Sequence, residues 1–343
     1  MKALILRDYN ELVYEEAPDP EPGPEDLLIR VRACAICGSD VHGMDGSTGR
    51  RIPPLIMGHE AAGEVVAAGP QVRGFEAGDR VTFDSTIYCG WCRYCRAGRI
   101  NLCEQRRVLG VSCAEYRQDG AFAEYVVVPA RAAIHLPDGL SFERAALVEP
   151  LAIALHAVNR TPLRLNDTAV VIGAGTIGLL IIELLQLSGC RSIIAVDRAA
   201  SRLEMAVRLG ATHTLLADEG DVPMKIQQLT GGRGADVAFE AVGTTSAVQI
   251  AMAALAKGGD LVLIGNLAAG IEFPLQQAVA RELSIYGSCA SAGEYEKGLD
   301  LIARGAVDVE PLISAVAPLA EGVLWFERLR RGASELIKVI LVP

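Results

Sequence analysis

The stretch Ala169-Val-Val-Ile-Gly-Ala-Gly-Thr-Ile-Gly178 decides the fold of this chain. Residues 169–172 form a short apolar run rich in Val and Ile, which is typical of a strand buried on both faces. Glycines then interrupt the run, and a segment with helical apolar spacing continues to near Gly189. A second apolar strand, 193–196, ends in Asp197. The order of strand, glycine turn, helix, strand and acid predicts a parallel βαβ unit.

This unit has the features of a dinucleotide site. Gly173 allows the tight turn, Gly175 lets the backbone approach a pyrophosphate, and Gly178 lets helix and strand pack closely. N–H groups at the start of the helix would face the phosphates, and Asp197 would accept hydrogen bonds from both ribose hydroxyls. The alternative is a plain turn. The predicted cofactor contacts here are Gly173, Gly175, Thr176, Ile177, Gly178 and Asp197.

Length and composition exclude several classes of protein. With 343 residues, the chain is long enough for two domains, and its 51% hydrophobic content supplies substantial cores. The formal net charge of −10 argues against a nucleic-acid partner, which requires a basic surface. The longest apolar stretch, 169–182, is interrupted by glycines and stopped by Glu183, so no membrane span is expected.

The cysteines point to metal or catalytic thiols. The N-terminus lacks the pattern of a signal peptide, because Lys2, Arg7 and Asp8 bracket only four apolar residues. Nine cysteines in such a chain indicate metal ligands or reactive thiols rather than disulfides. We therefore expect a cytoplasmic protein.

The N-terminal part, residues 1 to about 150, is predicted to be an all-β unit, a distorted barrel. It has no long helical periodicity, and prolines and glycines punctuate it. Its short β-rich runs are Leu27–Arg32, Gly63–Ala68, Asp79–Phe83 and Ala123–Val128.

Four cysteines in this part form a first candidate metal site. Cys89, Cys92, Cys95 and Cys103 lie close together in sequence, and four thiolates can surround one tetrahedral zinc ion. Because all four positions are sulfur, no coordination position is left for water, so the site would be structural. A metal-free cysteine loop and an iron–sulfur site are the alternatives.

A second set of metal-capable residues comprises Cys37, His59 and Glu60, with Glu149 much later in the chain. Spacing alone does not make these a site, since a lone His-Glu pair is more often a surface or core feature. Cys34 and Cys37 also form a C-x-x-C pair, but no thioredoxin-like βαβ pattern surrounds it.

Taken together, these motifs resemble the zinc-containing medium-chain dehydrogenases, which include alcohol and sorbitol dehydrogenases. The resemblance covers nearly the full length. The strings that carry it are Gly58-His-Glu-Ala-Ala-Gly63, Gly78-Asp-Arg-Val81, the four-cysteine segment ending at Cys103, Gly120-Ala-Phe-Ala-Glu-Tyr125, and the glycine turn with Asp197. It implies a GroES-like catalytic domain at 1–152, completed by 290–343, and a Rossmann NAD-binding domain at 153–289.

The resemblance also implies a catalytic zinc ion. Cys37 and His59 match two family ligands, and the strings around Cys37 and Glu149 look like the polyol dehydrogenase branch, where the third ligand is a Glu. Glu149 is therefore assigned as that ligand. Glu60 is assigned either as a ligand that exchanges with water or as a carboxylate in contact with a ligand.

Two departures put polyol contacts of the sorbitol type in doubt. Sorbitol dehydrogenases usually carry an aromatic residue where this chain has Gly43, and an Arg where it has the segment 288–291. A phosphorylated polyol of the galactitol-1-phosphate type stays open. Arg50 and Arg51 could meet its phosphate, and the alternative is a solvated pair of loop residues.

After Asp197 the α/β alternation continues, which predicts a six-stranded, doubly wound parallel sheet with helices on both faces. Predicted helices are Ser201–Leu209, Asp221–Thr230 and Ser246–Ala256, and predicted strands are Thr212–Leu216, Asp236–Ala241, Asp260–Ile264 and Leu283–Gly287. The cofactor should lie at the carboxyl ends of the strands. Further predicted cofactor residues are Arg198, Arg202, Gly243 and Gly265, although the two glycines also fit ordinary turns.

These observations favour an NAD-dependent, zinc-dependent dehydrogenase of a secondary alcohol in a polyol or sugar alcohol. Ser39 would take the hydroxyl proton and His42 would pass it to solvent, with Glu60 the third residue of the predicted catalytic set. The alternative for Ser39 is a hydroxyl that caps a helix. Two zinc ions per chain and a homotetramer or homodimer are expected. Other activities left open are those of a threonine 3-dehydrogenase, a butanediol-type alcohol dehydrogenase and a non-catalytic zinc- and NAD-binding protein.

Overall fold

The computed structural model describes all 343 residues, and the chain folds as two compact units. The first unit comprises Met1–Glu149, Tyr295–Gly305 and Val309–Pro343. The second comprises Pro150–Glu294 and Ala306–Asp308. The first unit is thus assembled from distant parts of the chain, whereas the second is nearly continuous.

Twelve strands and four helices come first along the chain. The strands are β1 (Lys2–Asp8), β2 (Glu11–Glu16), β3 (Asp26–Ala35), β4 (Leu55–Ile56), β5 (Glu60–Ala68), β6 (Arg80–Phe83), β7 (Thr86–Ile87), β8 (Arg107–Val108), β9 (Val111–Ser112), β10 (Arg117–Gln118), β11 (Tyr125–Pro129) and β12 (Ala133–His135). The helices are α1 (Gly38–Gly43), α2 (Arg93–Arg96), α3 (Phe142–Ala146) and α4 (Val148–Val158).

The α/β alternation follows. Its strands are β13 (Thr168–Ile172), β14 (Ser192–Asp197), β15 (His213–Leu216), β16 (Ala235–Glu240), β17 (Leu255–Leu263) and β18 (Ser284–Gly287). Its helices are α5 (Thr176–Leu187), α6 (Ala200–Arg208), α7 (Val222–Leu229), α8 (Thr245–Ala254) and α9 (Leu275–Ala280). The chain then adds α10 (Tyr295–Ala303), β19 (Ile313–Pro318), α11 (Gly322–Arg330) and β20 (Lys338–Val342). Short 3₁₀ turns occupy Ile100–Leu102, Ala130–Ala132, Glu310–Leu312 and Leu319–Glu321.

A seven-stranded sheet forms the body of the first unit, which confirms the predicted β-rich fold. Its strand order is β12-β6-β5-β3-β20-β19, and β11 also pairs with β3. Strand β3 shows the alternation that half-buried strands require, since Leu27, Ile29 and Val31 are buried while Arg30 and Arg32 are exposed. This alternation directs one face of the strand into the core.

The core of the first unit joins its strands to α11 near the C-terminus. Phe83, Phe122 and Phe326 are fully buried there, and the rings of Phe122 and Phe326 meet edge to face with centroids 5.6 Å apart. Aromatic pairs in this arrangement add stabilisation beyond the burial of their area. The last part of the chain is therefore integral to the first unit.

The second unit confirms the predicted parallel sheet. Its strand order is β15-β14-β13-β16-β17-β18, and every pairing is parallel. All five residues of β13 are buried, as expected for a strand covered on both faces. Val170, Ile172, Ile194 and Val196 from β13 and β14 form the centre of its core.

Two predicted bounds in this unit are wrong, one by two residues and one by five. The helix predicted to reach Ala256 ends at Ala254, and the strand predicted from Asp260 begins at Leu255, directly after the helix. Helix α9 was not predicted: it has only six residues, none of them is buried, and its apolar side chains Leu275 and Val279 are 65% and 69% exposed. No helix of the chain is both long and apolar enough to cross a bilayer.

Candidate active site

The pairing of β3 with β5 brings the second set of metal-capable residues together. Ala35 lies opposite Glu60 in this pairing, so Cys37, just after β3, lies beside His59, just before β5. The candidate ligand atoms of Cys37, His59 and Glu60 all lie within 4.8 Å of one another. The sequence suggested these three residues but could not place them together.

A buried aspartate, which the sequence analysis missed, lies behind His59. Asp40 is fully buried on α1, and its Oδ1 lies 3.4 Å from His59 Nδ1, an atom that has no hydrogen-bond partner. Burial alone would lower the pKa of His59, but Asp40 and Cys37 raise it well above its usual range. Since Nδ1 faces Asp40, Nε2 is left for a metal ion, an arrangement that fixes the orientation of ligand histidines.

Glu60 forms a buried ion pair with Lys338, the first residue of β20. The Nζ atom of Lys338 lies 2.8 Å from Oε1 and 2.7 Å from Oε2 of Glu60, and both side chains are almost fully buried. Burial alone would lower the pKa of Lys338, but Glu60 and Cys37 raise it. This pair balances the charge of Glu60, while each carboxylate oxygen keeps a second lone pair that a metal ion could use.

Glu149 lies outside the group that meets the 4.8 Å distance. It is buried in the first turn of α4, and burial raises the pKa of its carboxyl group to about 8. Helix N-termini favour a negative charge, and so would a nearby cation. Its assignment as the third zinc ligand stays a prediction.

The donor set of this site fits zinc. A thiolate, an imidazole nitrogen and a carboxylate are the ligands of catalytic zinc, and three protein ligands leave one position open for substrate. Asp40 Oδ1, 3.4 Å from His59 Nδ1, is placed for the outer contact that zinc-binding histidines use. Of the three residues, His59 and Glu60 are buried and Cys37 is partly buried, so a bound ion would be largely shielded from solvent.

Helix α1 presents the two residues predicted to move a proton. Ser39 and His42 are both exposed and lie three positions apart, which places them on one face of the helix. Ser39 does not cap the helix, because the N-cap residue is Cys37 and the reciprocal contact comes from Asp40, whose Oδ2 accepts from the Cys37 N–H at 3.3 Å. The alternative reading of Ser39 as a capping hydroxyl is therefore wrong.

The two arginines before His59 differ in burial and in their contacts. Arg50 is exposed, whereas Arg51 is 4% exposed and donates to Asp40 Oδ1 at 2.9 Å. The alternative of a solvated pair of loop residues therefore holds for Arg50 but not for Arg51. Since the charge of Arg51 is balanced by Asp40, only Arg50 is left to meet a phosphate at the surface.

The four-cysteine segment is folded around a point that a single ion could occupy. The sulfur atoms of Cys89, Cys92, Cys95 and Cys103 all lie within 4.8 Å of one another, and none of the nine cysteines forms a disulfide. The Sγ of Cys95 lies 3.5 Å from that of Cys92 and 3.9 Å from that of Cys89. Tetrahedral zinc with bonds of about 2.3 Å separates its sulfurs by about 3.8 Å, so the geometry fits.

Backbone N–H groups and burial act in opposite directions on these thiols. Backbone N–H donors lower the pKa of Cys92 to about 6, whereas burial, with neighbouring thiols, raises the pKa of Cys95 to about 12. Without an ion the four sulfurs cannot all ionise at neutral pH, because like charges would lie too close. A divalent cation would remove this conflict, which is the chemistry of a structural zinc site.

In the second unit, the glycine turn has the predicted geometry. Gly173 has a φ of +96°, which favours glycine, and a Cβ on Gly178 would lie 1.8 Å from the carbonyl oxygen of Gly173. Around Gly175 no atom lies within 4 Å of an added Cβ, so the backbone there is open to a ligand. Helix α5 begins at Thr176, followed by Ile177, and no side chain caps it. These features fit a pyrophosphate at its N-terminus.

Asp197 ends β14 as predicted, and its carboxylate accepts hydrogen bonds from the glycine turn and from the segment just after β14. Its Oδ2 accepts from the Ala174 N–H at 2.7 Å, and its Oδ1 accepts from the Ala199 N–H at 2.9 Å. Arg198 points elsewhere, because its Nε donates to Asp218 at 2.9 Å. The Nε of Arg202 is buried without a hydrogen-bond partner. Each carboxylate oxygen of Asp197 keeps a second lone pair for a ribose hydroxyl.

Gly243 and Gly265 lie against each other at the carboxyl ends of β16 and β17. A Cβ on Gly265 would be 2.1 Å from the Gly243 nitrogen. Glu240, the last residue of β16, was missed in the sequence; it is fully buried and accepts from the N–H groups of Val242 and Gly243 at 2.8 and 2.7 Å. The two glycines therefore allow a close approach of two loops, at the sheet edge where cofactors bind.

Of the other residues that the sequence analysis missed, Asp40 gave no signal and Lys338 gave a weak one. Lys338 opens a strand whose next three residues are all buried. A charged residue in such a strand needs a buried partner of opposite charge. The sequence therefore indicated that Lys338 had a partner, but not which one.

Comparisons with known proteins identify the family of the chain. Residues 23–138 match the alcohol dehydrogenase GroES-like domain, and residues 176–304 match the zinc-binding dehydrogenase domain. A sorbitol dehydrogenase of Bacillus subtilis (strain 168) is 36% identical over 348 residues, covering 100% of this chain and 97% of that protein.

Solved structures show the same likeness over the full length. A zinc-binding dehydrogenase from Sinorhizobium meliloti 1021, bound to NADP, has a TM-score of 0.91 at 35% identity and covers 100% of this chain and 99% of its own. Galactitol-1-phosphate dehydrogenase from Escherichia coli has a TM-score of 0.92 at 27% identity and covers 100% of both chains. With both domains matched and identity above 30% along the whole length, the chain belongs to the zinc-binding alcohol dehydrogenase family of oxidoreductases.

Proposed function

We propose that this protein oxidises a secondary alcohol of a polyol or sugar alcohol, and reduces the corresponding ketone, with NAD as cofactor and zinc at the Cys37 site. The observation that carries the proposal is the convergence of Cys37, His59 and Glu60 within 4.8 Å, next to the exposed Ser39 on α1. This set provides ligands for a Lewis-acid metal beside a group that can accept a proton.

When bound, zinc supplies a Lewis acid that lowers the pKa of the substrate hydroxyl, and NAD supplies the hydride acceptor. Cys37 and His59 would hold the metal, with Glu149 as the third ligand. Glu60 would serve either as a ligand that exchanges with water or as a carboxylate beside the ligands. Its ion pair with Lys338 supports the second role, because the charge of Glu60 is already balanced within the protein.

The chain itself moves the proton. Ser39 Oγ would accept it from the substrate hydroxyl, and His42, one turn further along α1, would pass it to solvent. Both side chains are exposed, which gives the proton a path to water. Removing the proton is required because hydride leaves readily only from the alkoxide.

A second zinc ion is proposed at Cys89, Cys92, Cys95 and Cys103. Its role would be to stabilise the loop, since a site with four sulfur ligands has no position for substrate. The count of two zinc ions per chain follows from two separate ligand sets.

The substrate class is proposed from the printed names of the relatives, a sorbitol dehydrogenase and a galactitol-1-phosphate dehydrogenase. The burial of Arg51 in an ion pair with Asp40 favours an uncharged polyol, because it leaves a single exposed arginine in that loop for a phosphate. NAD is proposed because Asp197 ends β14, although the S. meliloti structure contains NADP.

The test is a substrate panel monitored by the absorbance of the reduced nicotinamide. Sorbitol, galactitol-1-phosphate, threonine and 2,3-butanediol are each offered with NAD and with NADP. We expect the highest kcat/KM with sorbitol or another uncharged polyol and NAD. Turnover of threonine alone, or of none of the compounds in protein with full zinc content, would contradict the proposal.

Elemental analysis and two matched cysteine variants test the metal sites. Protein purified without chelator should contain two zinc ions per chain. Cys37→Ser should lose activity and keep its fold, whereas Cys95→Ser should lose stability, because a closed four-thiolate site contributes folding free energy. A stable Cys95→Ser protein with an unfolded Cys37→Ser protein would mean that the two roles are reversed.

The domain boundaries at 1–152 with 290–343 and at 153–289 stay a prediction, as do the cytoplasmic location and the homotetramer or homodimer. Light scattering on the purified protein at several concentrations measures the oligomeric state directly.

A further inference from the structure

Arg51 is a charged residue buried close to the candidate zinc ligands, in a loop whose neighbouring residue Arg50 is exposed. Its side chain is 4% exposed and its partner Asp40 is fully buried. The Nη2 atom of Arg51 donates to Asp40 Oδ1 at 2.9 Å, and Nη1 donates to the carbonyl oxygen of Arg50 at 3.0 Å. Buried charges of this kind persist only when they are paired, so the position of Arg51 is strongly determined.

The backbone and one glycine hold Arg51 in this place. The carbonyl oxygen of Ser112 accepts from the Ile52 N–H at 3.0 Å, and the Ser112 N–H donates to the Arg50 carbonyl at 3.2 Å. On the other side, a Cβ on Gly43 would lie 2.6 Å from Cγ of Arg51. The stem of the arginine therefore fills space that any larger residue at position 43 would occupy.

From this position Arg51 contacts two groups that matter to the reaction. Asp40 Oδ1 lies between Arg51 Nη2 and His59 Nδ1, while Asp40 Oδ2 accepts from the Cys37 N–H. The same Nη2 atom donates to Ser39 Oγ at 3.4 Å. One guanidinium thus reaches the carboxylate behind the ligand histidine and the hydroxyl proposed to accept the substrate proton.

We propose that Arg51 is a positioning residue that sets both the zinc affinity of the Cys37 site and the orientation of Ser39. By holding Asp40 in place it fixes the His59 ring with Nε2 toward the metal. By donating to Ser39 Oγ it directs the serine proton away from the arginine and leaves one lone pair of Oγ for the substrate hydroxyl. This inference rests on the proposed function.

Arg51→Lys is the main test variant. Lysine keeps the charge that the buried Asp40 needs, so the fold is retained, but its compact ammonium group cannot reproduce the planar fork that reaches both Asp40 and Ser39. The matched control is Arg50→Met, which changes the exposed neighbour in the same loop. Zinc affinity is measured by competition with a chromophoric chelator, and the Cys37→Ser variant identifies which of the two zinc ions each phase reports.

We expect Arg51→Lys to weaken zinc binding at the Cys37 site by roughly 10-fold, at the lower end of the effect of residues that orient metal ligands. Turnover of sorbitol should fall by a similar factor with little change in KM, and the visible spectrum of the cobalt-substituted protein should shift. The four-cysteine zinc should be unaffected. Unchanged zinc affinity and kcat in Arg51→Lys, or equal losses in Arg50→Met, would overturn the inference.

A double-mutant cycle with Gly43 gives an independent check. Gly43→Ala should displace the arginine stem and weaken zinc binding, whereas the same change in an Arg51→Ala background should cost much less, because the colliding Cγ is gone. If the losses of zinc affinity from the two substitutions were additive, Gly43 would not act through Arg51, which would contradict the inference. If wild-type protein holds no zinc at the Cys37 site, the proposed function fails first, which separates its failure from that of the inference.

Discussion

The choice between NAD and NADP can be tested at Asp197. In an NADP complex the 2′-phosphate would lie near this carboxylate, and unit charges about 4 Å apart repel by about 4 kcal/mol at an effective dielectric constant of 20. Screening by salt and by neighbouring cations reduces this figure. We therefore expect a preference for NAD of at least about 100-fold in kcat/KM, roughly 2.7 kcal/mol.

Two arginines near Asp197 bear on this magnitude. The Nε of Arg198 is engaged with Asp218 at 2.9 Å, at a position where both side chains are largely exposed. The Nε of Arg202 is buried without a hydrogen-bond partner. The guanidinium group of Arg202 is therefore the cation that can offset part of the repulsion between Asp197 and the 2′-phosphate. Asp218→Asn would release Arg198 toward the cofactor and so separates the effects of the two arginines.

The substitution for the experiment is Asp197→Asn, which removes the charge and keeps one acceptor oxygen. Asp197→Ala would leave the N–H groups of both Ala174 and Ala199 without their acceptor, whereas Asp197→Asn leaves only one of them, at a cost of about 1–3 kcal/mol for each unpaired group. We expect Asp197→Asn to erase most of the preference, measured as the ratio of kcat/KM values for the two cofactors. Equal use of NADP by the wild-type enzyme, or a large gain of NADP activity in Asp218→Asn alone, would refute the reasoning. Either result would mean that the arginines, and not Asp197, determine the choice of cofactor.

Three further outcomes are expected. Ser39→Ala should lower kcat by roughly 100-fold or more, as loss of a general acid–base group does, and normal turnover would remove Ser39 from the proton path. Lys338→Met should destabilise the metal-free protein by about 3–5 kcal/mol in denaturant titrations, because it leaves Glu60 charged, buried and unpaired; an unchanged midpoint would show that the pair contributes nothing. Burial raises the pKa of Glu183 from 4.5 to about 7, so its contribution to stability is full below pH 4.5 and is lost as pH rises through 7. Glu183→Gln should therefore match the wild type near pH 4.5 and exceed it by at most about 3 kcal/mol at pH 8; a constant difference across this range would contradict the assigned pKa.

The second unit could be predicted from sequence because its signals are local. A buried strand, its glycine turn and the following helix lie within twenty residues, and the fold repeats this pattern. The bounds failed where local signals conflict, as at Ala256, where the apolar helix pattern continues into a strand without a break. Helix α9 has only six residues, so its apolar spacing is too short to indicate a helix.

The candidate site could be predicted only in part, because its contacts are distant in sequence. Cys37 and His59 were found by their type and by the family resemblance, but the network behind them was not. The spacing of Asp40 and Arg51 in the sequence does not indicate an ion pair. Lys338 lies 278 residues from its partner Glu60. Such contacts depend on the register of a sheet, which composition and periodicity do not specify.

The position of β20 has a consequence for the order in which the protein is made. This strand lies between β3 and β19 in the sheet and carries the lysine that balances Glu60. On the ribosome, Glu60 emerges 278 residues before Lys338, and the nearly continuous second unit is complete before β20 is synthesised. Domains generally fold as units during synthesis. Until the end of the chain has been made, the nascent first unit therefore lacks the strand that pairs with β3 at this position and the lysine that balances Glu60.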